Sequence, residues 1–237
     1  ILLRVSEMVC ELPQLRELDI NPLIVDQFGV LAVDARVAVG VAPPSAQRYD
    51  QLAIMPYPSS YARDWPMRGG GQYTLRPVQP TDAEMLQSLV RGLSDQSRYN
   101  RFASSLRELS AQMLARYSLI DYDREMALVA VLTTRTADDD GSFTETEQII
   151  GVSRYIANPD RSSCEFSLLV DDKFSGQGLG TRLMLEIMDI ARDRGLSETV
   201  GLVLRKNRPM LKLMASLGFQ VLPYDDDPDF LLCRKAL

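Results

Sequence analysis

Apolar positions along this chain change their period several times, and each change marks a boundary. Leu2, Leu3, Val5, Met8 and Val9 recur at helical spacing, and the pattern stops before Pro13. Apolar-rich runs at 18–25 and 29–36 predict two strands joined as a hairpin about Asp26, Gln27 and Phe28. From 41 to 71 the periodicity disappears. Pro43, Pro44, Pro56, Pro58 and Pro66, closing on Gly69, Gly70 and Gly71, predict an extended linker there. Ile54, Tyr57 and Trp65 would lay that linker against a surface. Regular patterning returns at Gln72 and runs to the end.

The pattern therefore predicts three regions, 1–40, 41–71 and 72–237. The first is too short to fold easily alone. It opens in mid-pattern at Ile1, which reads as a piece of something longer. In the third, 73–78 predicts a strand, and Thr81 or Asp82 caps a helix carrying Met85, Leu86, Leu89 and Val90. A second helix is expected around 109–117, after the polar Ser104 and Ser105. Strands at 126–133 and 148–157 flank Asp138, Asp139, Asp140 and Gly141, a hairpin signal. The strand Ser163–Val170 follows, then a helix carrying Leu183, Met184, Ile187, Ile190 and Ala191 and stopping at Gly195. A strand at 199–204, a helix at 209–217 and strands at 219–222 and 230–234 complete the order β-α-α-β-β-β-α-β-α-β-β.

Composition narrows the chemistry. A net charge of −6 over 237 residues argues against broad nucleic-acid or anionic-membrane binding. No apolar run is long enough to cross a membrane and no signal peptide is visible, so a cytoplasmic location is expected. The absence of histidine removes Ser-His and Cys-His catalysis and histidine metal sites, and no metal is expected. Any general base must be a carboxylate, Tyr, Lys or Cys. Cys10, Cys164 and Cys233 have no CxxC spacing and read as reduced thiols.

The most telling segment lies between the strand Ser163–Val170 and the helix after it: Ser175, Gly176, Gln177, Gly178, Leu179 and Gly180, followed by Thr181. A glycine-rich turn at a helix N-terminus exposes backbone N–H groups at the positive end of the dipole, where a phosphate can bind. Such turns also open dinucleotide folds, but there the turn follows the first strand. Here it follows several antiparallel-looking strands and leads, through a strand, to a helix ending Leu217-Gly218-Phe219.

From residue 72 the chain resembles a GCN5-related N-acetyltransferase (GNAT) domain. The Gln/Arg-x-x-Gly-x-Gly turn of that family falls on Ser175 to Gly180, and its distal motif on Asn207 to Met210 through Phe219. The resemblance implies a mixed α/β fold with a splayed, mostly antiparallel sheet and acetyl-CoA as co-substrate. Leu168, Leu169 and Val170 would pair with the pantetheine arm, and the N–H groups of Ser175 to Thr181 would cradle the pyrophosphate. Arg205, Lys206 and Arg208 lie beside Asn207, where the CoA 3′-phosphate or adenine would be within reach, or they form a solvated basic loop. Ser175 departs from the family, which usually has Gln or Arg there. The tyrosine that many small-molecule acetyltransferases use as acid corresponds to Met214.

Glu165 carries the remaining chemistry. Alternation puts it with Ser167 and Leu169 on one face of the strand, opposite Cys164, Phe166 and Leu168. It is either a solvent-facing or salt-bridged carboxylate, or a general base. A lysine amine is neutral only about once in 2,500 molecules at pH 7, a cost of roughly 4.6 kcal/mol. A glutamate raised by apolar neighbours would supply the missing base, and related protein acetyltransferases carry a glutamate on this strand. The run Asp225, Asp226, Asp227, Pro228, Asp229 is a solvated turn or a dock for a basic protein surface.

The first region has its own resemblance. Glu17 to Leu23, followed by Val33 to Arg36, is similar to the end of an ATP-grasp domain of NDP-forming acyl-CoA synthetases. Asn21 and Asp34 would there help hold Mg-nucleotide, but the rest of that pocket is missing, so no ATP binding is expected. Synthetase-like remnant, linker and acetyltransferase together resemble the large bacterial Pat-type protein lysine acetyltransferases, and Leu93 to Phe102 resembles their second helical segment. The implied activity is acetyl transfer to a protein lysine, with an acyl-CoA synthetase as partner. A small-amine acetyltransferase and a CoA-sensing module without catalysis stay open.

Overall fold

The computed structural model describes residues 1–27, 29–41, 52, 55–68, 70–104, 106–137 and 142–237, in two compact units, Ile1–Tyr57 and Pro58–Leu237. The first unit holds α1 (Leu2–Glu11), β1 (Leu15–Ile20), β2 (Leu23–Asp26), β3 (Gly29–Ala32) and β4 (Ala35–Val39). β1 pairs antiparallel with β4 and β2 with β3, so each predicted strand is cut in two. The first break falls at Pro22, which has no N–H for a ladder. Beside it the Asn21 N–H donates to the Asp34 carbonyl at 3.1 Å, closing the two ladders into one nested hairpin. Phe28, placed at its turn, lies outside the described residues.

The second unit runs β5 (Arg63–Pro66), β6 (Gln72–Pro77), α2 (Ala83–Gly92), α3 (Asp95–Phe102), α4 (Ala111–Ser118), β7 (Glu125–Ala137), β8 (Phe143–Ala157), β9 (Ser163–Val170), α5 (Leu179–Asp193), β10 (Glu198–Leu204), α6 (Arg208–Ser216), β11 (Gln220–Pro223) and β12 (Phe230–Ala236). Its sheet has the order β11-β12-β10-β9-β8-β7-β6-β5, antiparallel throughout except between β9 and β10. This is the mixed α/β, mostly antiparallel architecture the resemblance implied.

Two elements depart from the pattern reading. Arg63–Pro66, within the predicted linker, is an edge strand on β6, whereas Pro43, Pro44, Ile54 and Gly69 lie outside the described residues. α3 falls on the segment Leu93 to Phe102 that the resemblance marks as helical, but the pattern reading omits it because none of its residues is fully buried and it has no apolar stripe. It forms instead on its cap: the Ser94 hydroxyl accepts from the Ser97 N–H at 3.2 Å. The hairpin residues Asp138 to Gly141 are also outside the described part.

Both faces of the sheet are covered. Leu86 and Leu89 of α2 pack with Val78, Ala127, Val129, Val131 and Ile149 on one face. On the other, Leu183, Met184 and Ile187 of α5 are at most 1% exposed, each such side chain contributing about 1.5–3 kcal/mol by burial. α5 sits close to β8 because Gly151 has no side chain; a Cβ there would meet Leu183 Cδ1 at 2.8 Å.

Candidate active site

β9 and β10 pair only through Ser163–Glu198, Cys164–Thr199 and Glu165–Val200, and then part. The wedge is Phe166. Its ring lies over Gly201, where a Cβ would come within 2.6 Å of it, and packs edge-on against Phe219 at 5.2 Å. β8 keeps its pairing with β9 as far as Val170, so the opening is all on the β10 side. The Asp171 N–H donates to the Ile150 carbonyl on β8 at 3.0 Å. Alternation then turns the backbones of Ser167 and Leu169 toward β8 and those of Leu168 and Val170 into the gap. Two of the three residues expected to offer free backbone groups do so; Leu169 faces the other way.

The glycine turn stands at the end of this gap. Gly176 and Gly178 have φ of +75° and +89°, a conformation side-chain-bearing residues rarely hold. Gly178 caps α5 with no side-chain hydrogen bond, and the first intrahelical bond runs from the Arg182 N–H to the Gly178 carbonyl. The N–H groups of Leu179, Gly180 and Thr181 thus have no helical acceptor. A Cβ on Gly180 would stand 3.4 Å from the Leu168 and Leu213 side chains and 3.7 Å from that of Val170, so the turn, the free strand edge and α6 come close together. Strand edge and turn fit a long thioester ligand with a pyrophosphate. The Gln177 side chain donates to the Lys173 carbonyl at 3.1 Å and holds the turn from within.

Opposite this side, Glu165, Ser167 and Leu169 face α2, α3 and α4. Glu165 is exposed, not lodged among apolar side chains as the base argument supposed. Its charge acts on Arg101 and on Tyr224. Arg101, at the end of α3, donates to the Ser167 hydroxyl at 3.1 Å. Burial pushes its guanidinium down from the usual range, while Tyr117 and Glu165 oppose that shift. Beside it Glu125, 4% exposed, accepts from Arg154 Nε at 2.9 Å and Arg116 Nη1 at 2.7 Å. The Tyr224 hydroxyl is hydrogen-bonded to Asp226, whose contact and charge raise it above its ordinary value.

One contact joins the two sides. Asp172, just before the turn, accepts from the Ser94 N–H at 2.7 Å and the Ser97 hydroxyl at 2.5 Å. Burial alone would raise its carboxyl, yet these donors and Arg98 hold it below the usual range. α3, and with it Arg101, is thereby tied to the segment leading into the glycine turn.

Other expected residues serve the scaffold. Asn207 caps α6, accepting from the Met210 N–H at 3.2 Å, and Arg205 Nε donates to the Pro228 carbonyl at 2.9 Å. Met214 is fully buried, so that position packs and presents nothing to the gap. Cys164 and Cys233 are free, buried and pushed up to about 11, which leaves them inert. Arg101, Asp172 and Tyr224 were missed from sequence. The sequence covers Arg101 only as part of Leu93 to Phe102, the segment that resembles a family helix, and gives it no role.

A splayed sheet with an amide-lined turn at the mouth of the splay defines an acyl-CoA-dependent transferase. The family model of the acetyltransferase (GNAT) domain matches residues 72–220, and the chain belongs to that family. It is an N-acetyltransferase with acetyl-CoA as co-substrate. Residues 1–39 match the model of an ATP-grasp domain. Acetyltransferase PA5475 of Pseudomonas aeruginosa is 31% identical over 168 residues, which cover 71% of this chain and 86% of that protein. The crystal structure of the GNAT domain of Streptomyces lividans PAT is similar at 26% identity and a TM-score of 0.65, covering 77% of this chain and all of that one. A phosphinothricin acetyltransferase from Sinorhizobium meliloti, solved with acetyl-CoA, shares the fold at 18% identity and a TM-score of 0.53, over 70% of this chain and 88% of that one. Among the described residues no helix is long and apolar enough to cross a membrane.

Proposed function

We propose that the chain transfers acetyl from acetyl-CoA to the side-chain amine of a protein lysine, by direct attack in a ternary complex. The observation that carries this reading is the openness of Glu165. Its carboxylate is exposed and stands outside the cavity on its face of β9, whose walls include Leu86, Leu89, Arg101, Phe102, Ser167 and Leu169. Such a site does not enclose a small amine; it meets an amine presented by a surface. The loop carrying Tyr224 adds Asp225, Asp226, Asp227 and Asp229 at its rim, a charge that favours a basic surface.

In this reading a docked protein takes Glu165 out of water, and the carboxylate accepts a proton from the lysine ammonium. The freed amine attacks the thioester carbon; the new C–N bond forms as the C–S bond breaks, and the thiolate leaves as the thiol with the proton that the acylated nitrogen gives up. Leu168 and Val170 orient the thioester arm, and the amides of 176–181 hold the pyrophosphate. Sequence resemblance extends the proposal to the target, an acyl-CoA synthetase silenced at its catalytic lysine. The ATP-grasp match in 1–39 agrees with a synthetase-derived remnant placed ahead of the acetyltransferase unit, which begins at Pro58.

Cellular proteins incubated with this chain and labelled acetyl-CoA, then analysed by mass spectrometry, test it. Label on lysines of a synthetase supports the proposal. Label on small amines alone overturns it in favour of a small-molecule enzyme, and acetyl-CoA binding without turnover in favour of a sensor.

A further inference from the structure

The family match begins at residue 72, but the structure brings an earlier residue to the glycine turn. β5 and β6 form a hairpin whose tip is held by the Met67 N–H on the Gly71 carbonyl at 3.0 Å. That tip puts the Arg68 guanidinium against Gly178, 3.7 Å from where a Cβ would stand. The hairpin is fastened to the first turns of α5 by Trp65, whose ring lies 3.6 Å under the Arg182 guanidinium. Arg182 also reaches Glu186 at 3.5 Å and is occupied. Arg68 is exposed and makes no hydrogen bond or ion pair among the described residues. Between hairpin and turn lies a cleft of about 310 Å³ lined by Trp65, Arg68, Tyr73, Gln177, Gly178 and Arg182.

A pyrophosphate on the 176–181 amides carries negative charge that amides alone do not neutralise. Ser175, the turn's own first side chain, offers no cation. We propose that Arg68 supplies it, binding a phosphate group of acetyl-CoA from outside the matched domain, so that the edge strand β5 is part of the cofactor site. The proposal rests on the reading of the glycine turn as the phosphate cradle. Arg68 is a fork donor on a tethered hairpin, suited to bidentate phosphate contact.

Titration calorimetry of the full chain and its Arg68→Ala and Arg68→Lys variants with three ligands tests this. With acetyl-CoA, Arg68→Ala raises Kd about tenfold and flattens its salt dependence, and Arg68→Lys recovers part of the loss. With S-acetylpantetheine, which has no phosphate, the variants match the parent. With 3′-dephospho-acetyl-CoA the penalty persists if Arg68 holds the pyrophosphate and vanishes if it holds the 3′-phosphate. An unchanged Kd for acetyl-CoA in Arg68→Ala, or an equal penalty with S-acetylpantetheine, overturns the proposal. If the parent itself binds acetyl-CoA no better than S-acetylpantetheine, the cradle reading fails first.

Discussion

In the proposed function the two faces of β9 divide the labour of the site, and they are built by different means. On the α5–α6 face, the cofactor side is made of backbone: a strand edge freed by Phe166 over Gly201, two glycines at positive φ and three helix N–H groups without helical acceptors. On the α2–α4 face, the proposed acceptor side is made of side chains: Glu165 and Ser167 from β9, Arg101 from α3, Arg154 from β8 and Tyr224 from the β11–β12 connection. Backbone geometry tolerates changes of side chain, so the first face suits a ligand shared across a family. Side chains drawn from distant segments can change one at a time, which suits the second to a particular acceptor.

The sharpest way to break this comparison is Glu165→Gln. It should lower turnover roughly 10²–10⁴-fold while leaving acetyl-CoA affinity alone. Higher pH should narrow the gap, because more of the substrate lysine is then neutral. Steady-state rates from pH 7 to 9 beside calorimetric Kd values check both parts. Near-normal turnover at pH 7 would make Glu165 structural.

Gly201→Ala tests the other side. A Cβ pressed to 2.6 Å from Phe166 overpacks the wedge and should cost about 1–3 kcal/mol, with acetyl-CoA affinity falling as the gap changes shape. Thermal unfolding with and without acetyl-CoA reads both effects.

Arg101→Met should lower kcat/KM for the acceptor about tenfold, with Kd for acetyl-CoA unmoved, since Arg101 touches only the acceptor face. A smaller change is expected of Asp172→Asn, which loosens α3 from the turn by about 1 kcal/mol. The folded-state carboxyl of Asp172 lies below its ordinary value. Its contribution is therefore present above about pH 4 and lost as pH falls through the folded value. Urea melts of parent and variant should differ at pH 7 and converge once the pH falls below the folded value.

The same division explains what could be read from the sequence. Ser163–Val170, the glycine turn and the apolar stripe of α5 lie in one continuous stretch, so period and punctuation revealed the cofactor side and, with the distal motif, the fold. Glu165 was visible because it sits in that stretch. Arg101, Asp172 and Tyr224 become neighbours of the site only through tertiary packing, and α3, held by a cap and by Asp172, has no stripe to announce it. Arg63–Pro66 reads as linker because Pro66 and the glycines after it look like punctuation; its ladder to β6 is set by neighbours, not by its own pattern. The split of 18–25 at Pro22 was legible as a proline signal but not as a nested pair of ladders.

The most direct test of two separate faces is residue-resolved amide hydrogen exchange with and without acetyl-CoA. Protection should rise at Leu168, Val170 and 176–181, with Ser167, Leu169 and α3 unchanged. Protection that instead appears across α3 and Ser167, with the glycine turn unaffected, would contradict a backbone-built cofactor side and a side-chain-built acceptor side.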